Sequence, residues 1–141
     1  MILHCNFEEL RALSAGAEVV RTEVMASSGS AIAAPAEAAA LVDALLPRLT
    51  GDLSVATLAE QRQVRTAVSA ICESLHLRMD ESILAHNPAH EEAVNFYFDY
   101  AHTRTVLDRL DRMGSEMDAI IELITGQPAT DEAAATITFA D

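Results

Sequence analysis

The chain contains no lysine, and in its 141 residues there are two cysteines, four prolines, five glycines and only 4% aromatic side chains. Each shortage excludes something. Cys5 and Cys72 are far apart and form no C-x-x-C pair, so no disulfide framework is expected and both read as buried reduced thiols of an intracellular protein. No stretch reaches the roughly 18 consecutive apolar residues that span a bilayer. Met1-Ile2-Leu3-His4 lacks the charged start and apolar run of a signal peptide. The expectation is a soluble cytoplasmic protein. Glycine-rich phosphate loops of the G-x-G-x-x-G and P-loop kinds are absent, so no nucleotide cofactor is implied. Ser14, Ser69, Ser74, Ser82 and Ser115 sit in no G-x-S-x-G elbow, and neither cysteine has a nucleophile signature around it. No catalytic residue is therefore assigned, and no enzymatic activity of the chain's own is expected.

Positive charge is scarce as well. Nine arginines face 22 acidic residues, giving a formal charge of −13 and a pI near 4.6. Such a surface repels phosphate backbones and anionic lipid, which excludes nucleic acid and membrane as partners and favours solubility or a cationic partner. The all-arginine basic set, together with the abundance of alanine, reads as compositional bias. Half of the residues are hydrophobic, so a single domain of this length can bury a real core, built here from aliphatic helices that approach closely.

Between Thr57 and Gly126 the only proline is Pro88 and the only glycine is Gly114. Pro88 lacks an amide hydrogen and pushes Asn87 out of the helical region, so one helix stops before it and another starts after it. Thr57 with Glu60 forms a capping-box pattern, and Gly126 followed by Pro128 is a stop. The pattern predicts a long antiparallel helical hairpin, about 57–87 and 89–125, with arms of roughly 45 and 55 Å. Val64, Val68, Ile71, Leu75, Met79 and Ile83 make the apolar stripe of the first arm. Val106, Leu107, Leu110, Met113, Met117, Ile121 and Ile124 make that of the second. Asn6 with Glu8 and Glu9 caps a helix carrying Leu10, Leu13, Ala17, Val20 and Val24. Ser27-Ser28-Gly29-Ser30 breaks the chain before a second short helix that begins near Ala34 or Pro35. The fold class is all-α and four-helix-bundle-like. Residues 1–126 form a single helical domain, and 127–141 a linker with a C-terminal strand, Thr136-Ile137-Thr138-Phe139, that pairs with the extended Ile2 to Cys5 segment. Arms this long exceed what one compact chain can cover, so a homodimer or higher homo-oligomer is expected.

Two constellations on the hairpin carry chemistry. Glu73 and His76 form E-x-x-H on the first arm, and Asp99 and His102 form D-x-x-H on the second, each about a dozen residues from the bend. Carboxylate with imidazole suits divalent iron, manganese or zinc. In these four positions the chain resembles the ferritin-like di-metal carboxylate bundles, in which two helices each supply Glu-x-x-His and two others each a Glu. The resemblance implies a metal-binding bundle with a redox or storage role. One carboxylate is Asp99 instead of Glu, the two motifs lie on consecutive helices, and the bridging carboxylate would come from Glu18, Glu23, Glu37 or Asp43. Glu92 shares the stripe of Asp99. Both need partners if buried: a metal, or a hydrogen-bonded network with Arg65, Arg78 or Arg104, unless they lie exposed near the bend. At the bend itself, Pro88 separates His86 from His90 and breaks the geometry that would align them, so the tip reads as polar and exposed.

The second constellation is Phe96, Tyr97, Phe98 and Tyr100, four of the six aromatic residues in five positions. Successive helical residues point about 100° apart, so at least one of Tyr97 and Phe98 faces something other than the core. An interface with another subunit is the reading preferred over a ring-lined ligand pocket or packing beneath the N-terminal helices. Two functions follow: an acidic helical module for protein–protein interaction and oligomerisation, or the metal-binding bundle.

Overall fold

A computed structural model describes residues 1–26 and 35–140. The chain runs β1 (Ile2–Leu3), α1 (Phe7–Ala26), α2 (Pro35–Leu45), a 3-10 turn (Leu46–Arg48), β2 (Leu53–Ser54), α3 (Leu58–Ala85), α4 (Glu91–Thr125) and α5 (Asp131–Thr136). The break expected at Ser27 to Ser30, and a helix start at Ala34, lie outside the described residues. Among the described residues no helix is long and apolar enough to cross a membrane.

The local signals work as the sequence suggests. The Thr57 hydroxyl accepts the Glu60 amide at the start of α3, and the Glu60 carboxylate returns to accept the Ala56 amide. Gly126 closes α4 in the left-handed region at φ 75°, a conformation other residues adopt at a cost. At its start α1 carries a full capping box: Asn6 Oδ1 accepts the Glu9 amide, and Glu9 Oε1 accepts the Asn6 amide.

Helices α3 and α4 fold back on each other as an antiparallel hairpin. Helix α1 lies across both arms, with Gly16 against Ile71 and Leu75. A Cβ built on Gly16 would come within 2.3 Å of the Ile71 Cγ2, so the glycine is what lets α1 approach this closely. Gly114 does the same between the arms, making room for the buried Gln61 side chain, whose Nε2 donates to the Leu110 carbonyl. Helix α2 flanks α3, and α5 packs on the far end of α3 with Ala134 buried. The core runs through Leu13, Val42, Val68, Ile71, Leu75, Val106, Leu110, Met117 and Ile121. The α4 stripe ends one turn earlier than expected, because Ile124 is 65% exposed.

The end of the chain differs from expectation in two ways. Thr130 caps a helix at the Ala133 amide, and Asp131 and Glu132 sit in its first turn, so much of the expected linker is α5. Thr136 closes that helix instead of opening a strand. A small strand element does gather both termini, through residues 53–56. Strand β1 pairs antiparallel with β2, Ile2 opposite Ser54 and Leu3 opposite Leu53, and the Phe139 amide donates to the Ala56 carbonyl. Leu3, Leu53 and Val55 are buried there, and a two-residue ladder is held by that packing.

Candidate functional site

The hairpin divides at about the level of Leu75 and Thr103. Below that level α1, α2 and α5 cover the arms. Above it, from Leu77 to Tyr100, the arms are mainly covered by each other, and only Ser82 and Ala93 are buried. Of the metal and interface candidates on the hairpin, Glu92, Phe96, Tyr97, Phe98, Asp99 and Tyr100 lie in this distal part, and Glu73, His76 and His102 below it.

Among the described residues the four metal candidates Glu73, His76, Asp99 and His102 are not gathered into one ligand group. Glu73 is exposed, and His76 Nδ1 lies 3.4 Å from Asp80 on its own helix. The His76 ring packs against Tyr100 with centroids 5.3 Å apart. Asp99, whose side chain is 14% exposed, faces α1, where Arg11 Nη2 lies 3.2 Å away. Burial raises the Asp99 pKa above the ordinary carboxylate range, with the Arg11 charge and His102 opposing it. Asp99 pairs with Arg11 and with none of the three arginines expected for it. Arg65 pairs with Asp111, Arg78 with Glu23, and Arg104 with Asp108. Nor does any of the four bridging candidates reach the hairpin motifs as a shared ligand. Glu18 and Asp43 pair with Arg21, Glu23 is held by Ser74 and Arg78, and Glu37 is exposed. Glu73, His76, Leu77, Tyr100 and Arg104 line an open groove of about 440 Å³ between the arms, floored by Cys72. The Cys72 thiol donates to Thr103, and burial pushes its pKa up.

Glu92, expected on a buried stripe with Asp99, is exposed. The stripe is the same, but α1 covers it only as far as Arg11 and Asp99. Glu92 instead joins the bend. Among the described residues, His86, His90 and Glu92 are the group of three metal-capable side chains whose ligand atoms lie within 4.8 Å of one another. The two imidazoles stack with centroids 3.9 Å apart and planes 15° from parallel. Pro88 was expected to keep them apart. It brings them together, because the bend closes as a turn, with the His90 amide donating to the Asn87 carbonyl and the Ala89 amide to Asn87 Oδ1.

The aromatic residues split. Phe96 and Tyr100 are half-buried against the core, while Tyr97 and Phe98 are 54% and 53% exposed and meet edge to face with centroids 5.8 Å apart. Leu77, which lines the groove with Tyr100, is 49% exposed, and Leu84, two turns along the same helix face, is 86% exposed. Tyr97 lies one turn from Tyr100 on the face of α4 that borders the groove. Leu77, Leu84, Tyr97 and Tyr100 thus form an apolar strip along one side of the protruding arms, with Phe98 at its edge.

A buried charge that the sequence reading placed only in a first helical turn anchors the opposite side. Glu9 is 3% exposed, and its second carboxylate oxygen accepts from the Thr105 hydroxyl and pairs with Arg109, which also donates to the His4 carbonyl. The group ties the N-terminal segment to α4. Its sequence signal was the capping box itself, N-x-x-E in place of a serine or threonine cap.

Compared with protein-family models, with curated proteins and with solved structures, the chain gave no match.

Proposed function

We propose that the protein is an association module, and that the distal half of the hairpin joins a second copy of the chain. The observation that carries this is the set of Leu77, Leu84, Tyr97 and Phe98, all about half exposed or more, on a stretch of the arms where α1 pairs with Arg78 and Asp99 but leaves these side chains in solvent. Full burial of an exposed large apolar side chain is worth about 1.5–3 kcal/mol, so covering the exposed half of Leu77, Tyr97 or Phe98 would contribute roughly half of that each. Tyrosine and phenylalanine in a cluster supply the rigid anchors on which interfaces concentrate their binding energy. In the groove beside it the Cys72 thiol donates to Thr103, and His76 Nδ1 lies 3.4 Å from Asp80.

Light scattering of the purified chain tests the proposal. A mass of twice 15.1 kDa or more is expected, reverting to the monomer mass when Leu84, Tyr97 and Phe98 are all changed to serine. A monomer at all accessible concentrations would refute it, and so would an oligomer that survives the triple substitution.

A further inference from the structure

We infer that the bend of the hairpin is a binding site for a divalent transition-metal ion of the zinc type, held by His86, His90 and Glu92. This does not depend on the association proposed above. The argument starts from the backbone. His86 ends α3, its amide donating to the Ser82 carbonyl, and His90 is the N-cap of α4. The turn from Asn87 to His90 is fixed by the Asn87 and His90 hydrogen bonds, so both imidazoles project from closed backbone. Their ligand atoms and a Glu92 oxygen already lie within 4.8 Å of each other. Tetrahedral coordination with bonds of about 2.0–2.2 Å places ligands about 3.4 Å apart. The remaining contraction is within reach of side-chain rotation at these solvent-facing positions.

The donor set selects the ion. Two imidazoles and one carboxylate suit zinc, nickel or copper, whereas magnesium and calcium call for oxygen donors throughout. Three protein ligands leave a coordination position open to water. Glu91 beside the group and the formal charge of −13 on the chain favour a cation at this end.

One bond gives the site its signature. His90 Nδ1 accepts the Glu92 amide at 3.3 Å, a role open to this nitrogen only while it carries no proton. If the metal takes Nδ1, the acceptor is used up. If it takes Nε2, the ring proton moves to Nδ1, which then cannot accept. Either way binding releases the Glu92 amide from its cap.

The test is calorimetric titration of the full chain with zinc sulfate, together with amide resonances recorded with and without zinc. One zinc per chain is expected, with the Glu92 amide resonance displaced. His86→Gln and His90→Asn should each weaken binding by more than about tenfold, a range that changes even in the outer shell of a metal site can produce. Asparagine is itself a good N-cap, so His90→Asn keeps α4 started while removing the imidazole. His76→Gln with His102→Gln should leave binding unchanged. Absence of zinc binding, binding that survives His86→Gln and His90→Asn, or binding lost with His76 and His102 would each overturn the assignment.

Discussion

The two halves of the hairpin are continuous helices of one composition, yet they live in different surroundings. In the proximal half each polar group that goes inside finds a partner: Gln61 reaches the Leu110 carbonyl, Cys72 reaches Thr103, and Glu9 reaches Thr105 and Arg109. In the distal half the buried Ser82 hydroxyl has no hydrogen-bond partner among the described residues, and large apolar side chains point into water. Helical periodicity is the same in both. What differs is the presence of α1, α2 and α5, so the contrast shows that an amphipathic stripe states which side of a helix could be buried, while the rest of the chain decides how far along it burial extends.

A pair of leucines on α3 gives the sharpest break between the halves. Leu75 is fully buried and Leu84 is 86% exposed. Leu75→Ala should destabilise the protein by about 3–4 kcal/mol through lost transfer energy and the cavity left beneath α1. Leu84→Ser should change the stability of the monomer by less than about 0.5 kcal/mol. Urea denaturation of both variants in dilute solution checks this. Equal costs would mean that the distal half is as well packed as the proximal.

Ser82→Ala comes next. Removing a buried hydroxyl with no hydrogen-bond partner among the described residues should stabilise the fold by about 1 kcal/mol, seen as a higher denaturation midpoint. A loss of stability would show that the hydroxyl is satisfied in solution.

The smallest effect lies at the border, at Asp99. Its pKa is raised in the folded state, chiefly by burial, so folding binds a proton more tightly than the unfolded chain does. Stability contributed by this group therefore falls as pH rises from the ordinary carboxylate value through the raised one. Asp99→Asn removes that dependence. The melting temperature of the variant relative to the parent should be higher at about pH 7 than at about pH 4, and the reverse trend would show that the Arg11 pair outweighs burial.

How much of this was legible in the sequence follows from how local each feature is. Thr57 with Glu60, Pro88 and Gly126 act on neighbouring backbone, and the hairpin appears with bounds within two residues of those expected, Leu58–Ala85 and Glu91–Thr125. Helix α5 was also written locally, as Thr130 followed by Asp131, Glu132 and alanines, but six residues are too few for periodicity to show. The pairing of Arg11 with Asp99 and of β1 with β2 depends on which elements meet, and nothing near either partner encodes that. The histidines at the bend were expected apart because Pro88 breaks the helical spacing between them, but the turn formed at that proline sets the distance between His86 and His90.

The central claim is that the distal arms are uncovered in one chain and covered when two chains meet. Amide hydrogen exchange along α3 and α4, followed as protein concentration is raised, measures this directly. Protection should grow with concentration from residue 77 to residue 100 while the amides around Ile71 and Leu110 stay protected throughout. Distal protection that is already high in dilute solution, or that never changes with concentration, would contradict it.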